Sequence, residues 1–378
     1  MTSSEPSDDD AIEATEPAGS DKKRTLIRIV KLAIVVVVVV GLALAARSAI
    51  VQWRTENDKI QSEIIQIDQR LESLAEPSQA EGLRARRQAL LRSRPNLSNL
   101  NWLRIAIAAL LYTIGLLIPG LVLHSALRSL AERPRLSTAI ASQLIGHAGK
   151  YVPGKAMVIV LRAGGLSVDK VNPVRATISV FMETLLMMGV GAAVAGAVVW
   201  WLDIPDWMKW SALGVAAFAS VPTLPPILKV VAAKVSNTTS DPSNEDSEKS
   251  NSISSLRFFL TGWSWSIFSW AFIGASFTFL VSAIPSATPT VDVMSSGFVS
   301  LAAVSTAAIA LAMVVGFVSL IPDGAGVREL VLTTVLATAI SPVQALLGAI
   351  AARILFIVVE SVCASVAWYW LSRQRDSK

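Results

Sequence analysis

The sequence predicts an all-α integral membrane protein, and three observations carry that prediction. Hydrophobic residues make up 53% of the chain and charged residues 16%, with a mean hydropathy of +0.55. The apolar residues gather into runs of roughly 20, the length of helix that crosses a hydrocarbon core. Charges that do fall within apolar stretches concentrate in two segments interrupted by proline and glycine, one around Lys150 and one around Arg328. Because a bilayer offers no water to backbone groups, spanning runs of this kind form helices. About eight transmembrane helices are expected, in two pseudo-repeated halves whose Pro/Gly-interrupted segments can re-enter the membrane.

Composition also narrows the function. The net charge of +5 bears, in such a protein, on topology and anionic lipid headgroups and not on nucleic acid. The single cysteine, Cys363, excludes an internal disulfide and a cysteine metal cluster. His124 and His147 stand far in sequence from any second metal-type ligand, so neither a metal nor another cofactor is expected. No P-loop, nucleophile elbow or zinc-protease motif is present, and an enzyme is not expected.

Taken in order, residues 1–21 are rich in Ser, Asp, Glu and Pro and predict a disordered cytoplasmic tail. Residues 22–51 read as a first, retained transmembrane helix, too long for a cleaved signal. Residues 52–101 predict an extramembrane helical arm, because Trp53, Ile60, Ile64, Ile67, Leu71 and Leu74 recur mostly at spacings of four and three. That is the pattern of a helical hairpin or coiled coil, open to a protein partner or to self-association. Arg84, Arg86, Arg87, Arg92 and Arg94 follow as a solvated face or a membrane-surface contact.

The first membrane half, 102–232, has spans at about Trp102–Leu127, Val174–Trp201 and Trp207–Val231, with Trp200, Trp201, Trp207 and Trp210 forming an interfacial belt. Residues 233–256, polar and serine-rich, predict a flexible linker. The second half, 257–372, has spans at about Phe258–Ala283, Phe298–Leu320, Leu330–Ile340 and Val343–Leu371, before a cytoplasmic tail at 373–378. The basic clusters at both ends and at Arg128–Arg135 place both termini in the cytoplasm of a cell with this protein in its inner, plasma membrane.

Each half contains one break. The first is Gly149–Lys155, with Lys150, Pro153, Gly154 and Lys155, trailed by Arg162. The second contains Pro322, Asp323, Gly324, Gly326, Arg328 and Glu329. Matching breaks of this kind point to a substrate site, here read as a parallel repeat in which both breaks start from the cytoplasmic side. Arg328 and Glu329, about 100 degrees apart on a helix, each need another partner. Two readings fit them: contact with a lipid phosphate, or capping and ion pairing at a helix start. Glu183, Arg353 and Glu360 lie deeper in apolar spans, and a Glu183–Arg353 pair joining the halves is expected.

The segment Pro322–Glu329 resembles the proline, glycine-rich, arginine–glutamate signature of the lysylphosphatidylglycerol synthase transmembrane region family. Lys150–Lys155 with Arg162, and Glu183 in Phe181-Met182-Glu183-Thr184, resemble the family's other recurring segments, the likeness running over roughly 100–372. Asp323 departs from it, standing where glycine is usual, and no aminoacyl transferase domain follows Lys378 in this sequence. The resemblance implies movement of aminoacylated lipid between leaflets, with synthase activity not expected, and together with the paired breaks it leads to the expectation of a transporter for an anionic, aminoacylated or polyprenyl-phosphate-linked lipid. The substrate-binding candidates are Lys150, Pro153, Gly154, Lys155, Arg162, Glu183, Pro322, Asp323, Gly324, Gly326, Arg328, Glu329 and Arg353. The competing reading is a non-transporting scaffold that recruits envelope partners through the 53–74 arm.

Overall fold

In the computed structural model the described residues are 51, 54–55, 57–73, 77–93, 99–151, 156–200, 206–224, 227, 246–285, 296–319, 324 and 326–376. The expected tail 1–21, nearly all of the first transmembrane helix 22–51, and residues 233–245 of the linker lie outside them. So do Pro153, Gly154, Lys155, Pro322 and Asp323.

The arm is a helical hairpin of α1 (57–73) and α2 (Pro77–Ser93). Ile60, Ile64, Ile67 and Ala80 are buried, and ion pairs Arg86–Glu63 and Arg87–Asp68 tie the two helices together. Of the apolar stripe read from the sequence, Ile60, Ile64 and Ile67 are thus buried and Leu71 half-buried, while Trp53 and Leu74 lie outside the described residues.

The membrane part comprises α3 (Trp102–Ser129), α4 (Leu136–Ala148), α5 (Ala156–Leu166), α6 (Pro173–Trp200), α7 (Asp206–Ser220), α8 (Asp246–Ser282), α9 (Ser296–Val318), α10 (Val327–Leu336) and α11 (Pro342–Asp376). Among the described residues five helices, α3, α6, α8, α9 and α11, are long and apolar enough to cross a membrane. One expected span is corrected. Leu330–Ile340 holds a helix of 10 residues, about 15 Å long at 1.5 Å per residue, which is half a hydrocarbon core. In the stretch expected as the span Trp207–Val231, a helix of 15 residues ends at Ser220, before a 3-10 turn carrying Pro222; residues 225–226 and 228–231 lie outside the described ones. Helix α8 begins at Asp246, inside the stretch expected as linker.

Helices α3 and α8 run antiparallel. The amide of Asn101 donates to the Ala283 carbonyl (3.1 Å), Ser276 Oγ to the Ala108 carbonyl (2.7 Å) and Ser269 Oγ to the Gly115 carbonyl (2.9 Å). Gly115 permits this approach, since a Cβ there would lie 2.8 Å from Ile273 Cγ1.

Two series of elements match: α3, α4, break, α5, α6, and α8, α9, break, α10, α11. Both closing spans start alike, at Pro173 behind Asn172, whose Oδ1 accepts from the Val174 amide, and at Pro342 behind Ser341, whose Oγ accepts from the Gln344 amide. The packing matches too: α4 lies on α11 as α9 lies on α6, and α3 contacts α6 as α8 contacts α11. The equivalent helices α3 and α8 are antiparallel, so the axis relating the halves lies across the helices. The repeat is therefore inverted, not parallel.

That inversion decides where each break comes from. Hairpin α4–α5 opens at the end of the molecule where Arg135 meets Asp169 (2.9 Å), Arg175 meets Glu132 (3.2 Å) and Arg375 donates to the Gly164 carbonyl (2.6 Å). This is the basic face. Hairpin α9–α10 opens at the other face, where Gln344 at the start of α11 donates to the Ile284 carbonyl beyond α8 (3.5 Å). The expectation that both breaks start from one side fails, because α10 turns back where a full span was expected.

Candidate functional site

Both hairpins bring their breaks to mid-depth. Each turn depends on glycine. In the first, a 3-10 turn at Gly149–Tyr151 sends α5 back against α4, and a Cβ on Gly149 would sit 2.7 Å from the Val158 backbone nitrogen. In the second, Gly324 and Gly326 have φ of 63° and 83°, a region L side chains rarely enter. One turn before each break a glycine makes room for the arginine of the returning helix: Gly146 for Arg162, and Gly316 for Arg328, whose Cγ would be 2.6 Å from a Cβ. Arg162 and Arg328 thus occupy equivalent places on hairpins that enter from opposite faces.

Between the breaks lies a cavity of about 380 Å³ whose polar lining is Tyr112, Gln143, His147, Lys150, Arg162, Glu183, Thr184 and Arg328. Tyr112, Glu183 and Trp270 on its walls fall near the middles of α3, α6 and the apolar span of α8, so the cavity sits at mid-membrane depth. Its lining extends to Phe181, 50% exposed, and Phe317, also exposed, on the outer surfaces of α6 and α9. The cavity therefore reaches the lipid-facing side.

Each half holds one ion pair of its own beside the cavity. Arg162 Nη1 donates to Glu183 Oε2 at 2.6 Å, with side chains 6% and 3% exposed, and Gln143 Nε2 donates to Glu183 Oε1 at 3.2 Å. Arg353 Nη1 donates to Glu329 Oε1 at 2.6 Å, with side chains 26% and 12% exposed. Glu329 Oε2 also accepts from the Gly326 amide (2.7 Å) and so caps α10. The expected Glu183–Arg353 pair is corrected: Glu183 is satisfied by α4, α5 and its neighbour Thr184, and Arg353 reaches Glu329 on α10. The physical reason is proximity, since each short returning helix packs on the long span that follows it.

One carboxylate crosses between the halves. Glu360 Oε1, on α11, accepts from the Tyr112 hydroxyl (2.6 Å) and Lys150 Nζ (3.0 Å), and His147 Nδ1 lies 3.6 Å away. Among the described residues lining the two adjoining cavities, four cations, Lys150, Arg162, Arg328 and Arg353, meet three carboxylates, Glu183, Glu329 and Glu360, leaving one net positive charge. Arg162 Nε, Gln143 Oε1 and both ring nitrogens of His147 are buried without a hydrogen-bond partner among the described residues. Buried polar atoms of this kind are satisfied when a polar ligand or water fills the space they face.

Of the residues expected from the sequence, Lys150, Arg162, Glu183, Gly324 and Arg328 line this cavity. Arg328 also lines a small adjoining one with Glu329, Arg353 and Glu360, and Gly326 acts through its amide at the start of α10. Tyr112, Gln143, His147 and Glu360 were missed as site residues. Gln143 and His147 stand four apart in the last turns before a Pro-Gly break, one polar stripe on one helix face, and that signal was readable. Tyr112 sits in an otherwise apolar span and gives no such signal.

At the mouth of the first hairpin, Arg135 Nε (3.0 Å) and its backbone amide (2.8 Å) donate to the Asp169 carboxylate, joining the start of α4 to the end of α5. Burial pushes the Asp169 carboxyl up, but these bonds and the Arg135 charge outweigh it and hold it down at about 2. 

The family model described as "Lysylphosphatidylglycerol synthase TM region" matches residues 91–362, taking in the whole cavity and leaving out most of the arm. No curated protein matches the chain.

Proposed function

We propose for this chain, which belongs to the lysylphosphatidylglycerol synthase transmembrane region family, the movement of an anionic lipid from one leaflet to the other. The observation that carries the reading is the cavity at mid-depth, formed where two glycine-turned hairpins meet from opposite faces and holding an excess of positive charge. Broken helices meeting at the repeat interface are how membrane transporters hold polar substrates away from water. Arginine's planar fork of donors suits a phosphate, and Arg162 and Arg328 reach it from opposite hairpins. The headgroup fills the cavity, whose volume falls in the range of ligand sites, while the acyl or prenyl chains pass out beside Phe181 and Phe317 into the bilayer.

The inverted repeat supports alternating access, with the two hairpins exchanging roles as the halves rock. The basic face, with Arg128, Arg135, Arg175, Arg373 and Arg375, lies in the cytoplasm by the positive-inside rule, which puts the carboxyl terminus there and the arm on the outer side of an inner membrane.

The test is leaflet-resolved translocation of fluorescent phosphatidylglycerol in proteoliposomes of the full chain. Translocation well above protein-free vesicles, reduced at least tenfold in Arg328→Ala, supports the reading. Rates equal to protein-free vesicles across phosphatidylglycerol, its aminoacylated form and a polyprenyl phosphate overturn it.

A further inference from the structure

We propose that Glu360 is a proton-binding site that couples proton uptake to capture of the headgroup, an inference that rests on the lipid-movement reading above. Glu360 is 3% exposed and projects from α11 of the second half onto groups of the first. Tyr112 of α3, His147 of α4 and Lys150 of the following turn face its carboxylate directly. Arg328 and Glu329 of α10, with Arg353 one helix stretch back on α11, line the small cavity beside it.

His147 supplies the route. Its Nδ1 lies 3.6 Å from Glu360, and its Nε2 has no hydrogen-bond partner among the described residues, in a side chain that lines the large cavity. A proton taken up at one ring nitrogen and released from the other reaches the carboxylate and leaves the imidazole neutral, so the step balances.

The consequence is electrostatic. While ionised, Glu360 holds the Lys150 ammonium and ties the halves together. Protonated, it becomes a neutral acid, and the ammonium turns to the lipid phosphate. Net charge around the cavity then rises from one to two, and a phosphodiester monoanion brings it back to one. Each ligand lowers the cost of burying the other, so proton and anion bind cooperatively and reciprocally. Release of both on the far side lets Glu360 ionise and take Lys150 back.

The test uses the purified full chain in detergent under weak buffering, with a pH-indicating dye, on adding short-chain phosphatidylglycerol or phosphatidylinositol. Neither phosphodiester titrates near neutral pH. About one proton is expected to be taken up per lipid bound, with affinity rising as pH falls. Glu360→Gln binds lipid without proton uptake and without pH dependence. Lys150→Met keeps the carboxylate but removes its cation, so the pH dependence moves upward; this variant carries the test should Glu360→Gln fail to fold. Binding without uptake, uptake unchanged in Glu360→Gln, or no upward shift in Lys150→Met overturns the coupling and leaves lipid movement standing. Failure of both lipids to bind overturns the headgroup site and the coupling together.

Discussion

The two hairpins pair their charges in opposite senses. In the first, the short helix holds the arginine and the long span the carboxylate, Arg162 to Glu183; in the second, the short helix holds the carboxylate and the long span the arginine, Glu329 to Arg353. Glu183 and Arg353 both lie about three turns into their spans, so one position of the repeat has changed sign. Burial differs as well, the first pair being nearly dry and the second partly open. A dry pair is costly to break because the remaining charge has no water to turn to. The second pair has a reserve, since Glu329 keeps the Gly326 amide whatever happens to Arg353. The first half therefore reads as a rigid clamp and the second as the more yielding partner.

That contrast can be broken by substitution. The largest effect is expected from Glu183→Gln, which strands Arg162 in a buried site at a cost of roughly 3 to 5 kcal/mol. Thermal unfolding in detergent measures it, and the double variant Arg162→Met with Glu183→Gln recovers most of the loss. A double exchange of Glu183 and Arg353, by contrast, rescues nothing, as these residues serve different partners.

Next comes Gly324→Ala. It forces a side chain into positive φ and to 2.7 Å from the Gly316 Cα, for about 2 kcal/mol, whereas Gly164→Ala, with open space around it, leaves the midpoint unchanged. Arg353→Met is expected to cost about 1 to 2 kcal/mol, a charged hydrogen bond discounted for its partial exposure. If it destabilises as much as Glu183→Gln, the distinction between clamp and yielding partner collapses.

The smallest effect lies at the mouth of the first hairpin. Asp169→Asn is expected to cost roughly 1 kcal/mol, since its partner Arg135 is 44% exposed. The sign with pH follows from a carboxyl held down at about 2. Its contribution is fully present above the unfolded value near 4 and is lost as pH falls through about 2. An acid titration of the unfolding midpoint, compared between the native chain and Asp169→Asn, should converge below that pH.

Much of the site was readable because its signals are local. Lys150, Arg162, Gly324 and Arg328 stand out as polar or helix-breaking residues in apolar runs, and all four line the cavity. His147 and Glu360 did not reveal their partnership, because the residues that give them meaning lie on other helices. The short helix α10 misled for a related reason: ten apolar-rich residues look the same whether they continue through a bilayer or turn back.

Composition and proline and glycine placement by themselves determined a helical membrane protein with two breaks that must be sheltered from lipid, since these follow from the cost of exposing charge and backbone to hydrocarbon. Only the tertiary structure decided that the halves are inverted, that each arginine on a hairpin lies against its own glycine, and that Glu360 answers to Lys150. Helix direction in a bundle depends on how many segments truly cross, and ion-pair choice on which helices touch; both are set by packing between distant segments, which no stretch of sequence contains.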